Sequence, residues 1–454
     1  MELLIAVGQS LSLLLCSIFI LYVATLIRAY RAWRPQPAGR SEDFQWHFLI
    51  PCRDEEAVIG LTVATLRQKF PNAHLWVIDD DSDDDTGRIV EAFAGNDELV
   101  HLVSRRKPEA RTGKGDALNA AYRALEAWLP ADTDPNSVVV GVFDADGHPA
   151  EGCLDVCSAA HLFGDPSVGA VQIEVRILNL DDRHLLPERG RAANFFARTL
   201  LRMQDIEFRV PIAALQLVRR RINTVGMGGN GQFTRLAALR NIDEGNGRPW
   251  RGSLLEDFEL GLHVLLAGWR NEYTRDTYVA QEGLFNLRRL VTQRTRWGQG
   301  NMQCTRYMPD AWSSYHVTNA GVSELTYYLI QPWLQILGTF VYPLPLLAVG
   351  ITALVDMDGL RSFLMDGGWA LFAAYLVVGV GQFAIWAFLY VAANERRSGW
   401  WRALGWGMAY TLYTYKFYVT SWKAMIRLMT GKSGWSKTRR NAEVVFDGPV
   451  AKEA

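Results

Sequence analysis

The sequence predicts an α/β domain with a mainly parallel sheet, set between membrane-crossing helices. Three observations predict it: short apolar runs alternate with amphipathic stretches, long uncharged apolar segments lie towards both ends, and acidic clusters recur where the predicted strands stop. The chain has 454 residues, 49% of them hydrophobic, and a formal net charge of −1. That is long for one ordinary domain, and too balanced in charge for a nucleic-acid binder.

The first element is an apolar helix. Met1 to Ile27 carries one carboxylate, Glu2, and is then uncharged up to Arg28. About 20 apolar residues suffice to cross the roughly 30 Å hydrocarbon layer. A cleaved signal peptide is the competing reading, but its charges would precede the apolar core, whereas here Arg28, Arg31 and Arg34 follow it. A retained anchor is the expectation, and these arginines place residues 35–320 in the cytoplasm, at the cell membrane.

Next come the alternating elements. Trp46–Cys52 reads as a buried strand and Glu55–Lys69 as a helix ended by Pro71. His74–Asp80 is a second strand, followed by a helix from about Asp84 to Phe93; Glu98–Ser104 is a third, followed by a helix over Gly115–Trp128; Ser137–Asp146 is a fourth. Strands separated by helical runs of about 10–15 residues make βαβ units and a parallel sheet.

The carboxyl-terminal third is apolar again. Trp369–Ala393 is expected to span the membrane, preceded by a Pro-interrupted span over Leu337–Val355. Trp400–Met429 carries Lys416, Lys423 and Arg427, which suits an interfacial helix as well as a crossing one, so the number of spans stays open. Two spans would return the basic stretch "GKSGWSKTRR" to the cytoplasm. The five cysteines have no paired C-x-x-C spacing, so they indicate neither a zinc site nor a disulfide framework.

Ligands of parallel sheets collect beyond the carboxyl ends of the strands. Asp54, Glu55 and Glu56 follow the first predicted strand, Asp79 to Asp81 and Asp83 to Asp85 the second, Asp144 and Asp146 the fourth. Any one could be a solvated acidic turn. Three on one rim repel one another unless a cation neutralises them, and hard carboxylate oxygens suit Mg²⁺ or Mn²⁺ bridged to substrate phosphates. A cleft for a metal-bound diphosphate is the expectation.

In order along the chain, "PCRDEE", "VIDDDSDDDT", "GKGDALNAA", "FDADGHP", "GGNGQF", "LLEDFEL" and "QRTRW" resemble the membrane-integrated glycosyltransferases of family 2, the group with cellulose, chitin and hyaluronan synthases. The resemblance implies a GT-A-type, Rossmann-like domain over 40–310, after a transmembrane helix over 1–30. Interfacial and transmembrane helices would follow over 311–430, and a cytoplasmic basic tail over 431–454. It implies that Asp80, with Asp79 beside it, holds the uracil ring, that Glu55 contacts the nucleoside, and that Lys114 contacts phosphate. The family more often has Asn where Asp54 stands.

Asp144 and Asp146 match the D-x-D pair that holds Mg²⁺ or Mn²⁺ against the donor diphosphate, and on a strand such spacing puts both carboxylates on one side. His148 is either a third ligand or a turn histidine. Glu256 and Asp257 resemble the E-D pair whose Asp is the general base, although acids at a helix start are also favoured by the macrodipole. Gln293, Arg296 and Trp297 match Q-x-x-R-W, with Arg296 a donor fork for pyrophosphate and Trp297 a stacking face for the acceptor. Trp435, Lys437, Thr438 and Arg440 resemble a gating segment, or else form a polybasic stretch for anionic lipid.

The implied activity is inverting transfer from a nucleotide-sugar, UDP-glucose or UDP-N-acetylglucosamine, to a growing polysaccharide with coupled secretion. Too few spans for a pore would require a homo-oligomer or a secretion partner. The alternative is a single transfer to a lipid or short carrier acceptor, and a remote one is a non-catalytic membrane transport or scaffold protein.

Overall fold

The computed structural model describes residues 2–394 and 399–432, so the gating-like residues Trp435, Lys437, Thr438 and Arg440 lie outside the described residues. Eight strands form one sheet: β1 (Gln45–Cys52), β2 (His74–Asp80), β3 (Val100–Arg105), β4 (Val138–Val142), β5 (His148–Pro149), β6 (Val168–Ile177), β7 (Gln232–Arg235) and β8 (Arg270–Gln281). Their order is β3-β2-β1-β4-β7-β6-β8-β5. The first four pair in parallel, β7 runs antiparallel between β4 and β6, and β6 pairs in parallel with β8.

The β-branched and aromatic runs become the centre of this sheet because both of its faces are covered. Along β4, Val138, Val140 and Val142 enter one apolar core, while Val139 and the following Phe143 enter the other. On β1, Leu49 goes to the first core and Phe48 and Ile50 to the second, as the two-residue period of a strand requires. Helix Ile59–Lys69 lays Ile59, Val63 and Leu66 on the second core, and helix Lys114–Trp128 lays Leu118, Ala121 and Leu125 on the first. Chain order reverses between β1 and β4, so a crevice opens there at the strands' carboxyl ends.

The helical ends depart from expectation in detail. The first helix runs from Glu2 to Ala32, and its Leu14–Ala32 portion is the one helix, among the described residues, long and apolar enough to cross a membrane. No single span covers 337–355: helix Asn319–Val341 stops, and a separate helix, Leu344–Val355, begins after Pro343. The proline has no backbone N–H to continue the ladder, and 12 residues at about 1.5 Å each fall short of the hydrocarbon thickness. Trp369–Asn394 is one helix of 26 residues, and the 400–429 stretch is two helices, Trp400–Thr414 and Lys416–Met429, meeting at Tyr415.

Candidate active site

One cavity of about 1400 Å³ starts at the carboxyl ends of the parallel strands and continues between the apolar helices. Glu55, Asp80, Lys114, Asp144, Glu256 and Asp257 line its polar end; Phe19, Tyr22, Tyr327, Phe383 and Tyr418 line its far end.

At the polar end the side chains are placed by helix starts. Lys114 opens helix Lys114–Trp128, and its Nζ donates to Asp144 Oδ1 at 2.7 Å and to the Gly229 carbonyl at 2.8 Å, with Glu256 Oε1 at 3.9 Å. Glu256 and Asp257 open helix Glu256–Leu266. The loop between Val225 and Gln232 presses its backbone against them: a Cβ on Gly229 would stand 3.0 Å from Lys114 Nζ and 3.1 Å from Asp257 Oδ2. A side chain at position 229 would crowd both groups, which the glycine avoids.

One buried cation here faces three carboxylates, and the pKa values respond. Burial would lower Lys114, but Asp144 and Glu256 hold it above the ordinary lysine range. Burial pushes Glu256 up against the opposing pull of Lys114. Asp257 is pushed up to about 7, first by burial and then by Glu256. A carboxylate poised near neutrality suits a general base, because it is ionised at working pH yet still takes a proton readily.

At the carboxyl end of β2, Asp80 accepts hydrogen bonds from Arg105 Nη1 and from the Arg111 backbone at 3.1 Å; burial raises its pKa, with Arg111 and Arg105 opposing. Glu55 is buried beside it, its backbone N–H donating to Thr86 Oγ1 at 2.7 Å. Asp79 does not line the cavity; it accepts from Ser82 N at 3.0 Å and Arg106 Nη1 at 2.8 Å and so holds the turn after β2. The rest of the second acidic cluster is largely neutralised within the chain: Arg111 pairs with Asp81 at 2.9 Å and Asp83 at 2.6 Å, and Arg88 pairs with Asp85 at 2.8 Å. Repulsion on the rim is therefore smaller than a count of carboxylates suggests.

The D-x-D pair lies past β4, not on it. The chain turns after Phe143, with Gly147 N donating to Asp144 O at 2.8 Å, so strand alternation does not orient these carboxylates. Asp144 reaches the cavity, with 37% of its side chain exposed; Asp146 is buried and its Oδ2 accepts from Glu282 N at 3.0 Å. His148 sits on β5 opposite Ala280, half-buried, where burial lowers its pKa. Among the described residues no three His, Cys, Asp or Glu side chains gather into a group that would enclose a metal ion. Of the pair, only Asp144 lines the cavity, while Asp146 is buried behind it. A hard carboxylate at a cavity end with surplus negative charge nevertheless fits Mg²⁺ or Mn²⁺, which typically takes one or two protein carboxylates and completes its shell with water and substrate phosphate.

Gln293, Arg296 and Trp297 lie on helix Leu287–Cys304, whose start is capped by Asn286, and all three line the cavity. Sequence reasoning missed the residue between them. Arg294 stacks on the Trp297 ring at 3.9 Å and donates to buried Glu207 at 2.8 Å. Glu207 also accepts from Tyr413 Oη at 2.6 Å and Lys416 Nζ at 3.3 Å. The signal was Lys416, a cation inside an apolar stretch, which demands a buried partner. The same helix touches the end of the described chain: Gln299 accepts from Arg427 Nε at 2.8 Å and donates to the Lys432 carbonyl at 2.8 Å.

A GT-A-like, Rossmann-type sheet with this acidic cleft at its switch point defines a class, and the sequence supplies the family. Residues 45–300 match the model of the glycosyltransferase-like family 2, and the chain belongs to that family. Among curated proteins it is similar to the beta-monoglucosyldiacylglycerol synthase of Trichormus variabilis, 28% identical over 307 residues that make up 65% of this chain and 58% of that protein. The synthase of the same name from Synechocystis sp. is 27% identical over 362 residues, 73% of this chain and 67% of that protein. The matched region thus spans less than two thirds of the first of these relatives. Among solved structures, a mannosyltransferase from Pyrobaculum calidifontis in complex with GDP-Man and Mn²⁺ has a TM-score of 0.57 at 16% identity, covering 94% of this chain and 99% of that one, which is a likeness of fold.

Proposed function

We propose that the protein is a membrane-bound, inverting glycosyltransferase that moves one sugar from a nucleotide-sugar to the hydroxyl of a lipid acceptor. The observation that carries this reading is the cavity itself: it joins Lys114, Asp144 and Asp257 to an apolar end between helices, without a break. A lipid can lie in that apolar end with its headgroup at Asp257. The names of the curated relatives support a diacylglycerol-type acceptor and a glucosyl donor. Extension of a polysaccharide, which the Q-x-x-R-W motif favours, asks instead for an exposed aromatic platform, and one face of Trp297 is covered by Arg294. Membrane attachment rests on the Leu14–Ala32 helix, and further spans are proposed for the helices after residue 319, where Leu347, Leu354, Val355 and Trp369 are exposed.

The residue roles follow from position. Asp80 and Glu55 hold the nucleoside, and Lys114 and Arg296 offer positive charge to the diphosphate. Asp144 and Asp146 would hold Mg²⁺ or Mn²⁺, which would supply positive charge to offset that of the diphosphate. Asp257 takes the proton of the acceptor hydroxyl. The oxygen then bonds to the anomeric carbon on the face opposite the diphosphate, whose bond to that carbon breaks and whose oxygen keeps the electron pair. Glu256, next to the base, keeps its pKa high.

The test is incubation of the purified protein in lipid with labelled UDP-glucose, UDP-N-acetylglucosamine or GDP-mannose, a diacylglycerol and Mg²⁺ or Mn²⁺. Label extracted into organic solvent is the expected outcome. Label in a polymer retained on a gel would replace this reading with polysaccharide synthesis, and no turnover of any donor would favour a non-catalytic scaffold.

A further inference from the structure

We propose that a second, smaller cavity, which shares no lining residue with the large one, is a binding site for the headgroup of an anionic phospholipid. It has a volume of about 320 Å³ and lies where the chain enters helix Gly190–Glu207. Arg183, His184, Arg191 and Arg198 line it, together with Phe195, and no acidic side chain is among its lining residues. The acids of the same stretch, Asp181, Asp182 and Glu188, are exposed but do not line it. Three arginines that line one hollow with no acid among them favour an anion there, and their planar donor forks match phosphate oxygens.

The occupant is a lipid, not a free phosphate, because of what surrounds the hollow. Phe195 is 72% exposed and Phe196 53% exposed on the same helix turn, with Leu178 51% exposed on the segment leading in. Large exposed apolar side chains beside arginines are the pattern of a helix lying in the headgroup layer, where rings enter the acyl boundary and cations meet phosphate. The hollow is also held in shape: Asn194 accepts from Leu186 N at 2.9 Å and donates to the Leu186 and Gly190 carbonyls at 2.6 and 2.9 Å. Further along the helix, Arg202 donates to Tyr390 Oη at 2.9 Å and stacks on Trp406, which fixes the helix against the apolar carboxyl-terminal helices. This inference needs only that those helices meet a membrane; it is independent of the sugar-transfer reading.

The experiment uses the full-length protein in mild detergent and fluorescent short-chain phosphatidylglycerol or phosphatidylcholine, with affinity read by anisotropy. Phosphatidylglycerol is expected to bind at least about tenfold more tightly, since each cation near an anionic headgroup contributes roughly a fivefold factor and three arginines line the hollow. The R183A/R191A/R198A variant should bind both lipids alike, the corresponding triple lysine variant should keep most of the preference, and F195S/F196S should weaken both lipids. Should the alanine triple not fold, single R191E must still reduce the preference. Equal binding of the two lipids by the wild type, or an undiminished preference in R191E, would overturn the site. Complete displacement of lipid by millimolar inorganic phosphate would show a free-phosphate site and overturn the lipid assignment.

Discussion

Two clusters of buried charge face the large cavity, and they are balanced in opposite senses. Around Lys114, one cation meets Asp144, Glu256 and Asp257; around Glu207, one carboxylate meets Arg294, Lys416 and the Tyr413 hydroxyl. The first cluster is short of positive charge, so a proton is held on Asp257 up to about pH 7. The second is short of negative charge. Burial works against its carboxylate, yet Arg294 and Lys416 hold Glu207 below the ordinary glutamate range. A deficit of cations leaves room for a metal ion and a reacting proton, whereas a saturated carboxylate has nothing left to react with. The comparison therefore separates a cluster with room for a cation and a titrating proton, as the proposed chemistry needs, from one whose contacts join helices, although both are buried and both line one cavity.

The largest expected effect tests the chemical cluster. Asp257→Asn keeps the shape and removes the proton acceptor, so transfer should fall by about 100- to 10,000-fold while nucleotide binding, measured by calorimetry, stays within about twofold. Equal loss of both would mean that Asp257 organises the donor site and is not the base.

Next in size is a change at the other cluster. Glu207→Ala leaves Arg294 and Lys416 buried without a carboxylate, and removing one member of a buried pair costs about 3–5 kcal/mol. Thermal denaturation should show the loss, with donor binding retained in the protein that remains folded at low temperature. A variant as stable as the wild type would dissolve the distinction, since the junction would then hold nothing together.

The pH profile is a finer probe. Transfer should rise with pH as Asp257 loses its proton, and level off above about 7. Because Glu256 is the second cause of the raised value, Glu256→Gln should move that limb to lower pH. The stability sign is opposite: a carboxyl whose folded pKa lies above its unfolded one loses stability as pH rises from the unfolded value towards 7, so Asp257→Asn should raise Tm at pH 8 and leave it unchanged at pH 4.

How much of this was legible in the sequence divides along the same line. β1, β2 and β4 and the helices between them could be read because each is a local pattern: a β-branched run, an apolar period, a proline stop. The chemical cluster was legible because its members lie at strand ends and helix starts, where local rules place them. Asp144 and Asp146 show the limit, since they follow a strand closely enough to be read as part of it, but a turn closed by Gly147 N to Asp144 O redirects them. Arg111's pairing with Asp81 and Asp83 was not legible, because it joins segments about 30 residues apart. The Glu207 cluster joins residues 207, 294, 413 and 416, and no local period encodes such a contact.

The smallest effect sharpens the comparison most directly. Tyr413→Phe removes one hydroxyl donor from Glu207 and leaves the aromatic packing in place. A hydrogen bond to a charged group contributes about 1.5–3 kcal/mol, and Arg294 and Lys416 still hold the carboxylate, so the lower part of that range is expected. If the junction is structural, the loss should appear in thermal denaturation alone, with the pH limb of transfer still near 7. A displaced pH limb would mean that the two clusters communicate across the cavity, and the division between a reactive and a joining cluster would have to be abandoned.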